Sequence, residues 1–323
     1  MKNIPETMHG VLLIGQGGLE KLEYKTDISV PVAKEDEVLI KVNAAGVNNT
    51  DINTRTGWYS KSKNNDGCSW SGSPLKFPLI QGIDVCGTIV SVGSNIDSSR
   101  IGERVIARPM QTDLKNPSKP NMITLGSEIN GGFAQYVAIR SSETFVINCN
   151  WTDVELGSMP CSYSTAEGLL HRVNLGSEKI FINGASGGVG SAAIQLAKRR
   201  GAQITAQCSS SKFNEIKKIG ANEVVSRETD LVKEIGKNKY DVVIDLVAGD
   251  NWMQLCEILK PGGRYATSGA IAGPIVSLDV RTLYLKDLTL YGCTYQPIEV
   301  FSNLIKYIEN GEIKPLVAKT YPL

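Results

Sequence analysis

The sequence predicts an α/β protein with two domains, a mainly β domain followed by a doubly wound parallel-sheet domain. Up to about residue 150, short alternating segments such as residues 38–42 and 88–92 are separated by Gly, Asn and Ser clusters, a pattern typical of half-buried strands. From about residue 175, continuously apolar segments such as residues 179–183 and 240–245 alternate with helical patterns. This alternation of apolar strands and helices is typical of a parallel sheet covered by helices on both faces.

The later segments complete this pattern. Residues 203–207 and 263–268 are further predicted strands, and Val300, Leu304 and Ile308 indicate a last amphipathic helix that ends at Gly311. We therefore predict a mainly β domain over residues 1–160, to which residues 296–323 return, and a parallel-sheet domain over residues 161–295. Loop-rich residues 59–78 and 110–132 suggest the rim of a site.

Composition excludes several classes of partner. The 323 residues are about two average domains long, and 34 Lys and Arg against 33 Asp and Glu give a net charge of +1 without runs of like charge. This balance argues against a nucleic acid or a membrane surface as partner. The N-terminal residues lack the apolar run of a signal peptide, so we expect a cytoplasmic protein. The seven cysteines are an odd number without a Cys-x-x-Cys pair, which indicates reduced thiols.

The most specific motif is a glycine-rich turn that follows a predicted strand and opens a helix. It contains Ser186, Gly187, Gly188, Val189 and Gly190. In a dinucleotide fingerprint, the first glycines let the backbone approach a pyrophosphate, and the last lets the helix pack closely on the strand. The free N–H groups and the positive helix end would then face the phosphates. A glycine-rich helix start without a ligand is the alternative.

Residues at the end of the second strand of this domain predict which nicotinamide cofactor binds. A carboxylate there would bond the ribose hydroxyls of NADH and repel a 2′-phosphate, but the sequence has none. Ser209 and Ser210 can instead donate to a phosphate, and Lys212 can pair with its charge. We therefore predict NADPH as cofactor. The alternative is that the serines cap the next helix and Lys212 faces solvent.

The order of these motifs resembles the medium-chain dehydrogenase/reductase superfamily, and within it the zinc-free, quinone oxidoreductase-like branch. The resemblance implies a GroES-like, mainly β catalytic domain and a Rossmann cofactor domain. It covers nearly the whole chain, and it rests on the Gly-rich turn together with residues 15–22, 45–51, 82–87, 102–105, 131–137 and 260–264.

The resemblance also implies a reaction without catalytic zinc. Zinc-dependent members carry a Cys where this chain has Asn48 and a Gly-His-Glu where it has Gly82-Ile83-Asp84, whereas Cys161 matches their second Cys. Two of three usual ligands are therefore missing, and we expect no bound catalytic metal. The chemistry that remains is hydride transfer from NADPH to a small-molecule quinone or to an activated alkene or carbonyl.

Several residues receive roles from the resemblance. Asn48 matches a polar residue near the nicotinamide and could donate a hydrogen bond to the substrate oxygen. Tyr59 matches a Tyr of the substrate cleft and could orient the substrate or supply a proton, or it could be an ordinary packed aromatic residue. Asp51 is interpreted as a structural cap, and His9 and His171 as packing or surface residues.

The remaining residues assigned by resemblance lie in the second domain. Val247 and Gly249 follow one strand, and Ser268 and Gly269 follow the next, at positions that approach the ribose and nicotinamide in the family. Thr165 matches a residue that touches the nicotinamide, with a helix N-cap as its alternative. An edge strand near residues 288–291 matches the strand through which family members form homodimers.

Two other functions stay open from the sequence alone. One is an NAD(P)-dependent alcohol dehydrogenase with an atypical zinc site built on Cys161 and Asp84. The other is an NADPH-binding protein with little turnover. The particular quinone, enone or aldehyde lies beyond what these residues specify.

Overall fold

The computed structural model describes residues 4–60, 69, 74–115 and 122–323. Contacts divide the chain into two compact units, Met1–Cys161 with Pro315–Leu323, and Ser162–Lys314. The chain thus returns to the first unit at Pro315 and not at residue 296, because the last helix packs within the second unit. Parts of both predicted rim segments, residues 61–68, 70–73 and 116–121, lie outside the described residues.

The first unit is mainly β, as predicted. Two antiparallel sheets have the orders β2-β1-β4 and β10-β6-β5-β3-β9. Segment 110–132, predicted as loop, contains the strand pair β7-β8. The elements of this unit are β1 (Thr7–Leu13), β2 (Leu22–Ser29), β3 (Glu37–Ala44), α1 (Asn49–Thr56), β4 (Leu79–Ile80), β5 (Cys86–Val92), β6 (Arg104–Ala107), β7 (Met110–Thr112), β8 (Met122–Thr124), β9 (Tyr136–Arg140), β10 (Thr144–Val146) and α2 (Asp153–Gly157).

Alternating side chains build the core of the first unit. Val38 and Ile40 on β3 and Ile89 on β5 point to the same buried cluster, and Val105 on β6 and Val137 on β9 complete it. Successive strand residues face opposite sides of a sheet, and the intervening Leu39 on β3 and Ile106 on β6 are buried as well. These central strands are therefore covered on both faces.

The second unit contains one parallel sheet with the strand order β13-β12-β11-β14-β15-β16. All its neighbouring strands pair in parallel. Its elements are α3 (Pro160–Arg172, which begins two residues earlier, in the first unit), β11 (Lys179–Asn183), α4 (Gly188–Arg199), β12 (Gln203–Cys208), α5 (Phe213–Ile219), β13 (Glu223–Ser226), α6 (Leu231–Glu234), β14 (Tyr240–Asp245), α7 (Trp252–Ile258), β15 (Leu259–Thr267), α8 (Val280–Leu285), β16 (Thr289–Gly292) and α9 (Ile298–Glu309).

This strand order reverses direction between β11 and β14. Numbered within the unit, the order is 3-2-1-4-5-6, the doubly wound arrangement that binds dinucleotides at the point of reversal. The predicted strands over residues 179–183 and 240–245 coincide with β11 and β14. The carboxyl ends of these two strands therefore define the edge at which a cofactor is expected.

Helices cover the sheet through their apolar faces. α9 buries Val300, Leu304 and Ile308, as its sequence period predicts, and Gly311 follows it with a φ of 68°. In the part of the chain that the structure describes, no helix is both long and apolar enough to cross a membrane.

Candidate functional site

The glycine-rich turn lies where β11 ends and α4 begins. Ser186, Gly187 and Gly188 are exposed, whereas Val189 is partly buried and Gly190 is buried. Gly187 is the N-cap of the 12-residue helix α4, so the next N–H groups have no acceptor within the helix. These groups, with the positive end of the helix dipole, form a binding surface for an anion such as a phosphate.

Two glycines of this turn have different physical roles. A Cβ on Gly190 would lie 2.3 Å from the Gly184 oxygen and 2.7 Å from the Ala185 Cα, so only glycine lets α4 approach β11 this closely. A Cβ on Gly187 would be 3.7 Å from its nearest neighbour, the Gly184 oxygen. The space next to Gly187 is therefore open, as a bound pyrophosphate would require.

The predicted phosphate-binding residues follow β12. Ser209 begins a short 3-10 turn over Ser210–Lys212, and its hydroxyl lies 3.1 Å from that of Ser211. Neither Ser209 nor Lys212, the residue before α5, makes a side-chain cap bond to the backbone of the helix it precedes. The exposed Lys212 ammonium is 2.9 Å from Glu215. An exposed pair of this kind contributes about 0–1 kcal/mol, so a phosphate can replace the carboxylate.

Arg227 is a second cation at this edge that the sequence reasoning missed. Cys208 on β12 pairs with Ser226 on β13, and the Arg227 N–H donates to the Cys208 oxygen at 3.1 Å. The exposed guanidinium contacts Glu228, with Nε to Oε1 at 2.8 Å. A hydrogen bond from the Ser226 hydroxyl and this guanidinium lower the pKa of Glu228 to about 2. The signal that would have found Arg227 is its position directly after the third parallel strand.

Asp245 organises the turn after β14. This buried carboxylate accepts from the N–H groups of Val247 at 2.9 Å and Ala248 at 3.1 Å. It also accepts from the Asn183 amide at 2.9 Å and from the Tyr265 hydroxyl at 2.6 Å. Ala248 and Gly249 both have a positive φ, 56° and 75°. The carboxylate thus stabilises a backbone conformation that Ala rarely adopts.

The other predicted residues of the second unit lie as follows. Ser268 and Gly269 follow β15, and a Cβ on Gly269 would lie 2.9 Å from the Leu246 oxygen. Thr165 lies inside α3, which begins at Pro160, so the N-cap alternative for Thr165 is wrong. Its hydroxyl is 3.5 Å from the Gln296 amide.

Asn48 occupies the N-cap of α1 in the first unit. Its backbone N–H donates to the Asp51 carboxylate at 2.9 Å, and its side-chain Nδ2 donates to Asp84 Oδ2 at 2.8 Å. Asp51 is the third residue of α1, and its acceptance of the N-cap N–H is that of a capping box, so its interpretation as a structural cap is confirmed. The other Asp84 oxygen, Oδ1, accepts from the Cys161 N–H at 2.6 Å.

Burial dominates the electrostatics of this group. It raises the pKa of Asp84 to about 8, opposed by the hydrogen bonds from Asn48 and Cys161, and the charge of Asp51 raises it further. Burial also raises the pKa of Asp51 to about 6, although the N–H groups of Asn48, Ile83 and Gly82 stabilise its ionised form. Two carboxyls with raised pKa values in one cluster are typical of functional sites.

Tyr59 follows α1 and turns back onto it. Its hydroxyl lies 3.0 Å from the Thr50 hydroxyl and 3.4 Å from the Asn53 amide. Thr50 is two residues after Asn48, so one helical turn connects both predicted catalytic residues. The two histidines lie elsewhere: the His9 ring hydrogen-bonds the Tyr24 hydroxyl at 2.8 Å, and His171 is exposed near the end of α3.

Asn48, Asp84 and Cys161 do not fit a catalytic zinc ion. Asn48 directs its amide nitrogen, which has no electron pair available for a metal, toward Asp84, so the group offers only one carboxyl and one thiol as usual zinc ligands. Among the described residues, no three His, Cys, Asp or Glu side chains are grouped as a metal site would need. These three residues are instead arranged to form hydrogen bonds with one another.

These features define a two-part oxidoreductase, with a dinucleotide-binding sheet in one unit and a buried polar cluster in the other. Residues 34–149 match the family described as "Alcohol dehydrogenase GroES-like domain", and residues 188–310 the family described as "Zinc-binding dehydrogenase". The chain is 30% identical to the NADPH-dependent alkenal/one oxidoreductase, chloroplastic, of Arabidopsis thaliana, over 98% of this chain and 73% of that protein. It is 29% identical to the quinone oxidoreductase of Homo sapiens, over 98% and 91%.

Solved structures agree with this assignment. A putative alcohol dehydrogenase from Sinorhizobium meliloti 1021 superposes with a TM-score of 0.91 at 43% identity, over 98% of this chain and 90% of that one. The chain therefore belongs to the medium-chain dehydrogenase/reductase superfamily, in its quinone oxidoreductase-like branch. It is an oxidoreductase, and the family implies a nicotinamide cofactor.

The two glycines provide a matched test of the cofactor turn. Gly190→Ala is expected to lower the free energy of unfolding by about 1–3 kcal/mol, because its methyl group overlaps backbone atoms. Gly187→Ala fits its φ of −78° and is expected to change stability by less than about 0.5 kcal/mol. It should nevertheless weaken NADPH and NADH binding at least about tenfold by filling the pyrophosphate space. Urea unfolding and fluorescence titration measure the two effects, and unchanged binding by Gly187→Ala would contradict the assignment.

Proposed function

We propose that the protein transfers hydride from NADPH to a quinone or to an alkene or carbonyl activated by conjugation, without catalytic zinc. The observation that carries this proposal is the Asn48 amide, held by Asp84, at the position where zinc-dependent members have a thiolate. The named relatives, a quinone oxidoreductase and an alkenal/one oxidoreductase, support the same substrate class.

The chemistry suits a site of hydrogen-bond donors. When bound, the reduced nicotinamide supplies a hydride, and the substrate's own conjugated carbonyl takes up the negative charge. One Nδ2 proton of Asn48 bonds Asp84, so the second can donate to the substrate oxygen as that charge develops. Tyr59, oriented by Thr50 and Asn53, is proposed to orient the substrate or to supply the proton that completes the product.

A second part of the proposal concerns the choice of NADPH over NADH. Lys212 and Arg227 are both exposed at the carboxyl edge of neighbouring strands, beside the hydroxyls of Ser209 and Ser210. Each cation is paired with an exposed glutamate, and a phosphate dianion would accept stronger hydrogen bonds, which Arg227 can make in bidentate form. These two side chains are proposed to hold the 2′-phosphate.

We also propose that the protein forms a homodimer, with a second copy of the chain as its partner. β16 lies at the edge of the parallel sheet, and its strand sequence Thr-Leu-Tyr-Gly carries no charge. Leu290 on this strand is 37% exposed, and Tyr284 and Leu285 on the preceding helix α8 are 60% and 71% exposed. An uncharged edge strand beside exposed apolar side chains is an aggregation hazard unless it is covered. A homodimer through residues 288–291 would cover it.

Substrate turnover tests the reaction. With phenanthrenequinone or cyclohexenone as acceptor, we expect the parent protein to consume NADPH, and Asn48→Ala to lower kcat about a hundredfold, as removal of a charge-stabilising donor does. Tyr59→Phe should lower kcat about tenfold through the lost hydroxyl. Tyr24→Phe, which removes an exposed hydroxyl from β2, serves as control. Unchanged turnover in both Asn48→Ala and Tyr59→Phe would overturn the catalytic assignments.

Cofactor discrimination is tested by comparing kcat/KM for NADPH and NADH. Lys212→Ala and Arg227→Ala should each reduce the preference for NADPH about tenfold, the effect of one charged hydrogen bond, and leave NADH values unchanged. Lys218→Ala is the matched control, because Lys218 is exposed on α5 about 9 Å along the helix from Lys212. Equal efficiency of the parent with both cofactors would defeat the proposal.

Oligomeric state is measured by light scattering at micromolar concentration. The parent is expected to have twice the chain mass of 34.9 kDa. Leu290→Lys should yield the monomer, because it would bring two like charges together at a two-fold interface. Val32→Lys alters a more exposed apolar side chain, in the first unit, and should remain dimeric. A monomeric parent would count against this interface.

A further inference from the structure

The Asp84 carboxyl connects two parts of the first unit that are distant in sequence. It is fully buried, and it accepts from Asn48 Nδ2, 36 residues earlier, and from the Cys161 N–H, 77 residues later. Distances of 2.8 Å and 2.6 Å are those of strong hydrogen bonds to a carboxylate. One group therefore determines how both the start of α1 and the start of α3 are held.

The surroundings are shaped to fit this carboxyl. A Cβ on Gly46 would lie 2.5 Å from Asp84 Oδ2 and 2.8 Å from the Gly157 oxygen. Only glycine at position 46 leaves room for the oxygen that Asn48 contacts. The carboxyl therefore has little freedom to rotate away from the amide.

The backbone of Asn48 is fixed independently of its side chain. Asp51 accepts the Asn48 N–H through Oδ2 and the N–H groups of Gly82 and Ile83 through Oδ1, at 2.9, 3.3 and 3.1 Å. With the backbone held by Asp51, the remaining freedom of Asn48 is the orientation of its amide. An amide has a donor side and an acceptor side, and an ionised carboxylate accepts only from the donor side.

We propose that Asp84 is a positioning residue that fixes the Asn48 amide with its nitrogen toward the buried carboxylate, so that the second Nδ2 proton is presented to the substrate oxygen. This inference rests on the role proposed above for Asn48. It assigns to Asp84 a part in the reaction although its own oxygens are buried and contact no substrate. The pair thereby provides a fixed dipole at the position where a metal ion would provide a charge.

Asp84→Asn inverts this arrangement with little change in shape. The Cys161 N–H requires an acceptor, so the new amide must direct Oδ1 toward it and Nδ2 toward Asn48. Asn48 can then keep its hydrogen bond to residue 84 only by turning its own oxygen inward. The nitrogen moves to the other side of the amide, about 2 Å away, and the donor to the substrate is displaced.

A double-mutant cycle separates positioning from structural damage. Asp84→Asn is expected to lower kcat at least about tenfold with an unchanged KM for NADPH, and to change kcat less than about twofold when Asn48→Ala is already present. The acceptor is phenanthrenequinone or cyclohexenone, whichever the parent reduces faster. Assays run at about pH 9, because burial raises the pKa of Asp84 to about 8 and the carboxyl must be ionised. A purely structural role would lower kcat equally in both backgrounds, and that result would overturn the proposal.

A second measurement does not depend on turnover or on an Asp84 variant. In the parent protein with nitrogen-labelled asparagine, NMR is expected to show two side-chain amide protons of Asn48 with very different exchange rates, the slower one bonded to Asp84. The signals that disappear in the Asn48→Ala variant are those of the Asn48 amide. Equal exchange of the two protons would overturn the positioning by Asp84. If Asn48→Ala leaves kcat unchanged while the protected proton is present, the proposed role of Asn48 fails but its contact with Asp84 stands.

Discussion

The close contact between the start of α4 and the end of β11 is the constraint on which the cofactor half of the protein depends. Gly190 lies so near Gly184 and Ala185 that a single methyl group would separate helix and strand. This contact directs the first N–H groups of α4 toward the edge where β11 and β14 end. Because the strand order reverses between these two strands, nothing within the sheet crosses that edge. The same close packing at Gly190 thus also sets the direction of the N–H groups that are proposed to bind the pyrophosphate.

The positive groups discussed for the second unit lie at the same carboxyl edge of the sheet. Helix dipoles and backbone N–H groups attract phosphates regardless of which dinucleotide binds. Discrimination must come from side chains, and both Lys212 and Arg227 stand where β12 and β13 end. Their pairing with exposed glutamates keeps the local charge near zero without a ligand, at little cost in stability when those pairs are exchanged. In the proposed site, the backbone would supply affinity for the cofactor, and these side chains would supply the preference for NADPH.

Much of this arrangement could be predicted from sequence, and the exceptions share a physical cause. β11, β14 and the glycine turn were predicted because periodicity and turn chemistry are local properties. Arg227 was missed because its proximity to Ser209 arises from strand pairing. Helix α9 was assigned to the wrong unit because an amphipathic pattern shows that a face is buried without showing against what. The contact of Asn48 with Asp84 spans 36 residues and two elements, so no spacing rule could reveal it.

The buried carboxyls of Asp51 and Asp84 in the first unit depend on hydrogen-bond donors. Burial raises the pKa of each, and N–H groups stabilise their ionised forms. A buried carboxyl without a cation needs donors for both oxygens, and Asp84 obtains them from the Asn48 amide and the Cys161 backbone. In the proposed zinc-free site, Asn48 therefore has two linked effects. It provides no thiolate for a metal, and it supplies the donor that the neighbouring carboxyl requires, so the two residues stabilise one another.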